Sequence, residues 1–217
     1  MSIITIATSK GGAGKTTLAQ LISGRVAENG YRVAVLDADY NHSLSDWLRS
    51  FDTYPITVEN ELDETKIIPL AERLAETHDL VVIDTAGAAT QATVFAIGSA
   101  DLVLIPCQLS SADIVEASKT HQLVQSAAAM TRQEITARVV LTDYQPKTII
   151  AGHVEAELEA CGLPLLLTRL HRLVAFKEMT FSGTVPKSGL ASDLVDGMLD
   201  DIATFGALPF ATMKFAS

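Results

Sequence analysis

The chain has 217 residues, of which 48% are hydrophobic and 19% charged, and its formal net charge is −10. A chain this apolar is not disordered, and no apolar run reaches the roughly 18 residues that a membrane-spanning helix needs. The cysteines, Cys107 and Cys161, have no Cys or His neighbours at ligand spacing, so we expect buried structural thiols rather than disulfides, zinc or an iron–sulfur cluster. With no export signal visible at the N-terminus, a cytoplasmic protein is predicted. The acidic charge argues at first against nucleic acid as a partner.

Short apolar runs alternate with helix-length segments along the chain. Strands are predicted at residues 3–8, 32–37, 80–84, 102–106, 139–142 and 165–168, and helices at residues 16–28, 63–77, 90–98, 112–129, 149–161 and 189–205. Residues 41–46 form a polar stretch, and residues 51–69 are expected to be a surface excursion. Strands that are apolar on both faces indicate an α/β fold, with a mostly parallel sheet covered by helices on both faces. No linker divides the chain, so a single domain over residues 1–217 is predicted.

A glycine-rich segment, residues 9–17 (SKGGAGKTT), joins the first predicted strand to the first predicted helix. Glycines let the backbone N–H groups turn toward an anion, and the following helix N-terminus adds about half a positive charge. Lys15 can reach the β and γ phosphates of a nucleotide, and the Thr16 hydroxyl can ligate Mg²⁺. The strict pattern G-x-x-x-x-G-K-[ST] fails at its first position, where Ser9 stands. A turn without a ligand is the alternative, but the strand–loop–helix context favours a phosphate site.

Carboxylates stand at the ends of two predicted strands. The second strand ends in Asp37 and Asp39, and the LVVID strand ends in Asp84. The carboxyl ends of parallel strands face the crevice where open α/β sheets bind their ligands. Because Mg²⁺ takes few protein ligands, Thr16 with Asp84 and Asp37 is a sufficient set. Capping of the following turn is the alternative for Asp37 and Asp39.

The run that begins at Lys10 (KGGAGKTT) resembles the deviant Walker A box of the ParA/MinD family of P-loop ATPases, and especially small ParA-type partition ATPases that lack an N-terminal helix-turn-helix. The resemblance implies a P-loop NTPase fold, ATP and Mg²⁺ as cofactors, and an ATP-dependent sandwich homodimer. It implies that Lys10 crosses the dimer to the partner's nucleotide and that Asp39 positions the hydrolytic water. Asp84 matches the Walker B aspartate, with Asp37 near the metal. The residues that would bind the nucleotide are Gly11, Gly12, Ala13, Gly14, Lys15, Thr16 and Thr17.

The chain departs from the family pattern just after the second strand. The family commonly has Pro-Gln after D-x-D, and this chain has Tyr40-Asn41 instead. Both carboxylates are kept, but the residues that shape the switch segment differ. Trp47 is expected to serve packing. The adenine is expected near residues 142–143 and 185–186.

The resemblance also implies a function. ParA-type members bind DNA without sequence preference, and basic residues of the C-terminal half are predicted to do so here: Arg169, Arg172, Lys177 and Lys187. Solvated or salt-bridged surface residues are the alternative. The tail carries one lysine, Lys214, and a helix-breaking Pro209, so no stable membrane anchoring is expected.

We therefore predict a nucleoid-associated ATPase, converting ATP and water to ADP and phosphate, for plasmid or chromosome partition. A centromere-binding partner would stimulate its slow hydrolysis. The alternatives are a MinD-like positioning ATPase acting on membranes or protein assemblies, and a nucleotide-gated accessory scaffold for DNA processing.

Overall fold

The computed structural model describes residues 1–87 and 90–210 and shows a parallel sheet between two layers of helices. The strands are β1 (Ser2–Ile6), β2 (Val33–Ala38), β3 (Ile56–Asn60), β4 (Leu80–Thr85), β5 (Leu102–Cys107) and β6 (Thr136–Leu141). The helices are α1 (Lys15–Glu28), α2 (Ser43–Phe51), α3 (Glu64–Thr77), α4 (Gln91–Gly98), α5 (Ser111–Thr131), α6 (Ile149–Ala160), α7 (Val174–Ser182) and α8 (Gly189–Ala203). No helix in these ranges is both long and apolar enough to span a bilayer.

The strand order β3-β2-β4-β1-β5-β6 places β1 near the middle of the sheet, and every registered pair of strands is parallel. The chain builds the β4 side of the sheet before it crosses to β5 and β6 on the other side of β1. A crevice opens at the carboxyl end of the strand where the order reverses, which is where doubly wound sheets bind ligands. The loop after β1 is therefore the expected place for a site.

Both faces of the sheet are buried. The strand side chains point alternately to the two faces, and helices pack on each of them. Ile4 and Ile6 are fully buried in a cluster with α1, α2 and α8, whereas Ile3 belongs to a cluster with α3 and α4. A third cluster packs α5 and α6 on β5 and β6. The predicted α/β fold with helices on both faces is confirmed.

Two elements lie in the region expected to be irregular. The prediction of a polar stretch at residues 41–46 missed α2. Most side chains of this helix are polar, but Leu44, Trp47 and Leu48 recur at helical spacing and are buried. The predicted surface excursion at residues 51–69 is wrong because it contains β3, whereas α3 follows the helix predicted at residues 63–77. β3 is an edge strand, paired only with β2 and half-buried, so its sequence lacks the apolar run of a central strand. The packing role predicted for Trp47 is confirmed, since its indole N–H donates to Met179 O at 3.1 Å.

Residues 165–168 were predicted to form a strand and do not. Leu166 N donates to Val139 O and Leu170 N to Leu141 O, both in β6. Between these two hydrogen bonds the segment contributes four residues and β6 contributes two. A regular ladder needs equal numbers of residues on both strands, so none forms here. Isolated bridges remain, one of them between Val139 and Leu165.

The two cysteines have different environments. Cys107 is buried at the end of β5, and burial raises the pKa of its thiol to about 12. Cys161, just after α6, is exposed, so the expectation of burial is correct for Cys107 and wrong for Cys161. A residue that follows the last turn of a surface helix has little protein around it.

Candidate nucleotide site

The loop between β1 and α1 has the shape that its glycines permit. Gly12 and Gly14 have φ of +76° and +101°, values that side chains with a Cβ rarely adopt. Gly14 is the N-cap of α1, and its carbonyl accepts from Leu18 N at 2.9 Å. The loop is held from outside by the Thr142 hydroxyl, which donates to Ala13 O at 2.8 Å. The result is a curled backbone at a helix N-terminus, the standard place for a phosphate.

Lys15 is the buried cation of this loop. Its side chain lies at the first position of α1, and its ammonium donates to Lys10 O at 3.2 Å. Burial lowers the pKa of Lys15, while the charges of Asp84 and Asp39 oppose that shift. The site thus holds a desolvated positive charge whose natural complement is an anion.

Thr16 and Asp84 lie together in the second part of the site. The Thr16 hydroxyl donates to Asp84 Oδ2 at 2.8 Å, and burial raises the pKa of Asp84 to about 7. Asp84 Oδ1 is buried and has no hydrogen-bond partner. An unpartnered buried carboxylate oxygen beside a hydroxyl is an oxygen donor set that suits a hard divalent cation such as Mg²⁺. These two residues therefore fit the metal that the sequence implies.

Asp37 and Asp39 differ in what they bind. Asp37 is fully buried, and its two carboxylate oxygens accept from Asp39 N at 3.1 Å and Ser45 N at 2.9 Å. It fixes the turn after β2 and the first turn of α2, which was the alternative role, and its place near a metal stays a prediction. Asp39 lies at the cleft, where its Oδ1 accepts from the backbone and side-chain amides of Asn41, both at 3.0 Å.

Two adjoining cavities share the loop. The first, about 570 Å³, is lined by loop residues together with Asp39, Tyr40 and Gly87. The second, about 300 Å³, lies on the other side of the loop and is partly apolar; its lining includes Leu18, Gln108, Thr142, Asp143, Leu170, Arg172, Phe176 and Lys177. We name them the phosphate cleft and the base cavity, after the two parts of the nucleotide that the sequence leads us to expect beside this loop.

The expected adenine region is only half present in the base cavity. Thr142 and Asp143 line it, but Val185 is a core residue whose N–H donates to the Tyr54 hydroxyl at 2.8 Å. Sequence reasoning missed Gln108 and Phe176 as lining residues. Gln108 directly follows β5, so its position at a carboxyl strand end was the signal available. Phe176 comes from α7 and does not follow a strand, so that signal was absent.

The residues predicted to bind DNA do not form one free basic surface. Arg169 pairs with Glu155, Arg172 with Asp143, and Lys187 with Glu28, each at 2.7 Å. Lys177 lines the base cavity, as does Arg172. For three of these four residues the salt-bridge alternative describes the structure.

Lys10 does not line the phosphate cleft in this conformation. Its ammonium lies 2.7 Å from Asp113 Oδ2, in the first turn of α5. The structure thus brings Lys15, Thr16 and Asp84 together and places Asp39 at the same cleft, while Lys10 points to a different carboxylate.

Comparisons with known proteins agree with this geometry. The family model described as VirC1 protein matches residues 1–186. The chain is 31% identical over 147 residues to Protein ParA of Rhizobium radiobacter, a stretch that covers 67% of this chain and 66% of that protein, just under two thirds of it. It is 27% identical over 186 residues to Maintenance of carboxysome distribution protein A of Halothiobacillus neapolitanus, covering 83% and 84% of the two chains.

Among solved structures, an ATP complex of McdA from Cyanothece superposes with a TM-score of 0.82 at 18% identity, covering 100% of this chain and 99% of that chain. At this identity the likeness establishes the fold, and it confirms the P-loop architecture predicted from the loop after β1.

Proposed function

The chain belongs to the VirC1 protein family of ParA/MinD-type ATPases, and on that premise we propose that it is an ATP-driven switch that positions a cargo. ATP would bind in the phosphate cleft and base cavity, and two ATP-loaded copies would close into a sandwich dimer. The observation that carries this proposal is the set formed by Lys15, Thr16 and Asp84 at the N-terminus of α1, in a loop with a second lysine, Lys10.

The residues of the site divide the work. The N–H groups of residues 11–17 and the Lys15 ammonium would bind the phosphates, and Thr16 with Asp84 would hold Mg²⁺. The bound metal would neutralise charge on the phosphates during transfer. Asp39, held at the cleft by Asn41, would orient the attacking water and accept its proton. Lys10 of the partner copy would add positive charge as transition-state charge develops, the part an arginine finger plays in related enzymes.

For the cargo, we propose DNA partition through non-specific DNA binding by the dimer, with hydrolysis stimulated by a centromere-binding partner. The ParA relative supports this choice. Because most of the predicted DNA-contacting cations are already ion-paired, binding should be weak and strongly salt-dependent, with log K falling by about 0.9 per phosphate contact for each tenfold rise in salt.

The same ion pairs favour a second candidate, a MinD-like positioning ATPase that acts on a protein assembly. Arg169, Arg172 and Lys187 each have a carboxylate partner, so DNA would have to displace three existing contacts. The carboxysome-distribution relative is named for the positioning of a protein assembly, which fits this alternative.

Phosphate release and DNA co-sedimentation, each measured with ATP and Mg²⁺, test the proposal. We expect slow release by the wild-type protein, ATP-dependent retention on DNA at low salt, and loss of that retention at about 200 mM salt. Asp39→Ala should stay on DNA with ATP but lose turnover by at least about a hundredfold, since general-base catalysis typically contributes that much.

The control is Lys15→Ala, which should lose both signals because ATP no longer binds. Phosphate release without DNA retention would favour the positioning ATPase. Normal turnover by Asp39→Ala would contradict the role given to that carboxylate.

A further inference from the structure

The ion pair between Lys10 and Asp113 joins a solvent-facing lysine to a buried acid. Their atoms are 2.7 Å apart, and the side chains are 35% and 2% exposed, respectively. Asp113 lies in the first turn of α5, where Ser110 is the N-cap. The Ser110 hydroxyl donates to the same oxygen, Asp113 Oδ2, and the Asp113 N–H donates back to Ser110 Oγ. The carboxylate is therefore held in place by contacts that do not involve Lys10.

Asp113 depends on Lys10 for compensation of its charge. Its second oxygen, Oδ1, is buried and has no hydrogen-bond partner. Removing one member of a buried ion pair leaves an uncompensated charge in a medium of low dielectric, which costs far more than breaking a surface pair. Moving the Lys10 ammonium away from Asp113 is thus unfavourable unless a new contact replaces it.

Other contacts tie the same loop to α5 and the segment before it. The Ser9 hydroxyl donates to Glu116, one turn after Asp113, and Gln108 Nε2 donates to Gly12 O at 3.0 Å. Ser9 is the residue that departs from the strict phosphate-loop pattern. The segment before α5 and its first turns therefore hold the start of the loop at several points.

A cavity of about 260 Å³ lies beside the ion pair and borders the base cavity. Its lining includes Lys10 and Asp113 and also Gln108, Asp143 and Arg172, three residues that line the base cavity too. The ion pair between Arg172 and Asp143 thus forms a wall common to both cavities. A base bound on one side of that wall would contact residues that surround Lys10 on the other side.

We propose that Asp113 is a positioning residue that holds Lys10 within its own subunit until the ATP dimer forms. The inference rests on the proposed function, in which Lys10 must reach the nucleotide of the other copy. Lys10 pairs with Asp113 and does not line the phosphate cleft of its own subunit, so in the proposed dimer its ammonium would leave Asp113 to reach the partner's phosphate, and the ion pair would oppose dimer closure. The strength of this contact then sets the protein concentration at which ATP drives dimerisation.

The first test needs no nucleotide. Amine acetylation of the free protein is followed by mass spectrometry, with the exposed Lys147 as internal reference. In Asp113→Asn we expect Lys10 to react severalfold faster than in the wild type, because the ammonium is released. Glu116→Gln is the matched control, since Glu116 lies one turn further along the same helix and holds Ser9 rather than Lys10. Equal rates in the wild type and Asp113→Asn would overturn the proposal.

A stability cycle checks that the pair acts as a unit. Lys10→Ala should lower the thermal unfolding midpoint because it strands the buried carboxylate, and adding Asp113→Asn to that variant should restore it. Strictly additive effects of the two substitutions would mean that they are not coupled, and the proposal would then be wrong.

The decisive arm uses light scattering with ATP and Mg²⁺ over a concentration series. We expect Asp113→Asn to dimerise at a concentration at least about tenfold lower than the wild type, as suits loss of a charged hydrogen bond. If the wild type dimerises and Asp113→Asn needs an equal or higher concentration, the positioning role is refuted. If the wild type does not dimerise at all, the proposed function fails, while faster Lys10 labelling in Asp113→Asn would still support the contact itself.

Discussion

At the scale of single residues, Asp84 shows how a binding site opposes the stability of the fold that carries it. Its carboxylate is buried beside Thr16, with one oxygen unpartnered, and burial raises its pKa to about 7. In the unfolded chain the pKa returns to the ordinary 3.8. Between those two pH values the native protein holds a proton that the unfolded chain has released. The stability contributed by this group therefore falls as the pH rises toward 7 and stays low above it.

Asp84→Asn removes this pH-dependent loss of stability, because an amide does not titrate between pH 3.8 and pH 7. In protein freed of nucleotide and metal with EDTA, we expect the substitution to raise the free energy of unfolding, and the gain at pH 8 should exceed that at pH 5 by about 2–3 kcal/mol. Urea unfolding at the two pH values measures the difference. An equal gain for Asp84→Asn at both pH values would contradict the burial argument.

At the scale of elements, the features that depend on a local sequence pattern could be predicted. The features that depend on contacts between distant segments could not. The central strands were visible as apolar runs, and the loop before α1 was visible because its glycines, Lys15 and Thr16 are contiguous. β3 was missed because an edge strand buries little. The partners of Arg172 and Lys10 could not be predicted, since Asp143 and Asp113 approach them only once the sheet has formed. The residues of the phosphate cleft were thus accessible to sequence reasoning, and most of the base cavity was not.

Helix packing gives a prediction that separates two glycines in helices. A Cβ on Gly24 of α1 would lie 2.5 Å from Val185 Cγ2 and 3.1 Å from Tyr54 Cε2, whereas a Cβ on Gly152 of α6 would meet nothing within 4 Å. Gly24→Ala should therefore destabilise the protein by about 1–3 kcal/mol through overpacking. Gly152→Ala should stabilise it by about 0.5–1 kcal/mol through helix propensity. Urea unfolding compares the two, and a Gly24→Ala protein as stable as the wild type would show that α1 is packed more loosely than described.

At the scale of the whole molecule, the net charge of −10 and the basic residues of the C-terminal half have to be considered together. Much of the positive charge is neutralised locally, since Arg169, Arg172 and Lys187 each have a carboxylate partner. These three residues therefore offer nucleic acid less free positive charge than their place in the sequence suggests. Under the proposed function, affinity for DNA would come from bringing two copies together, because an ATP-dependent dimer would double the contacts.

Dimerisation is thus the step on which the account depends, and size-exclusion chromatography with light scattering measures it directly. With ATP and Mg²⁺ we expect the wild-type mass to rise from about one chain of 23.1 kDa to about two, and with ADP we expect it to stay near one. Lys15→Ala, which lacks the buried cation of the loop, should remain a single chain in either nucleotide. A wild-type protein that binds ATP with Mg²⁺ and stays monomeric at every concentration tested would contradict the central claim.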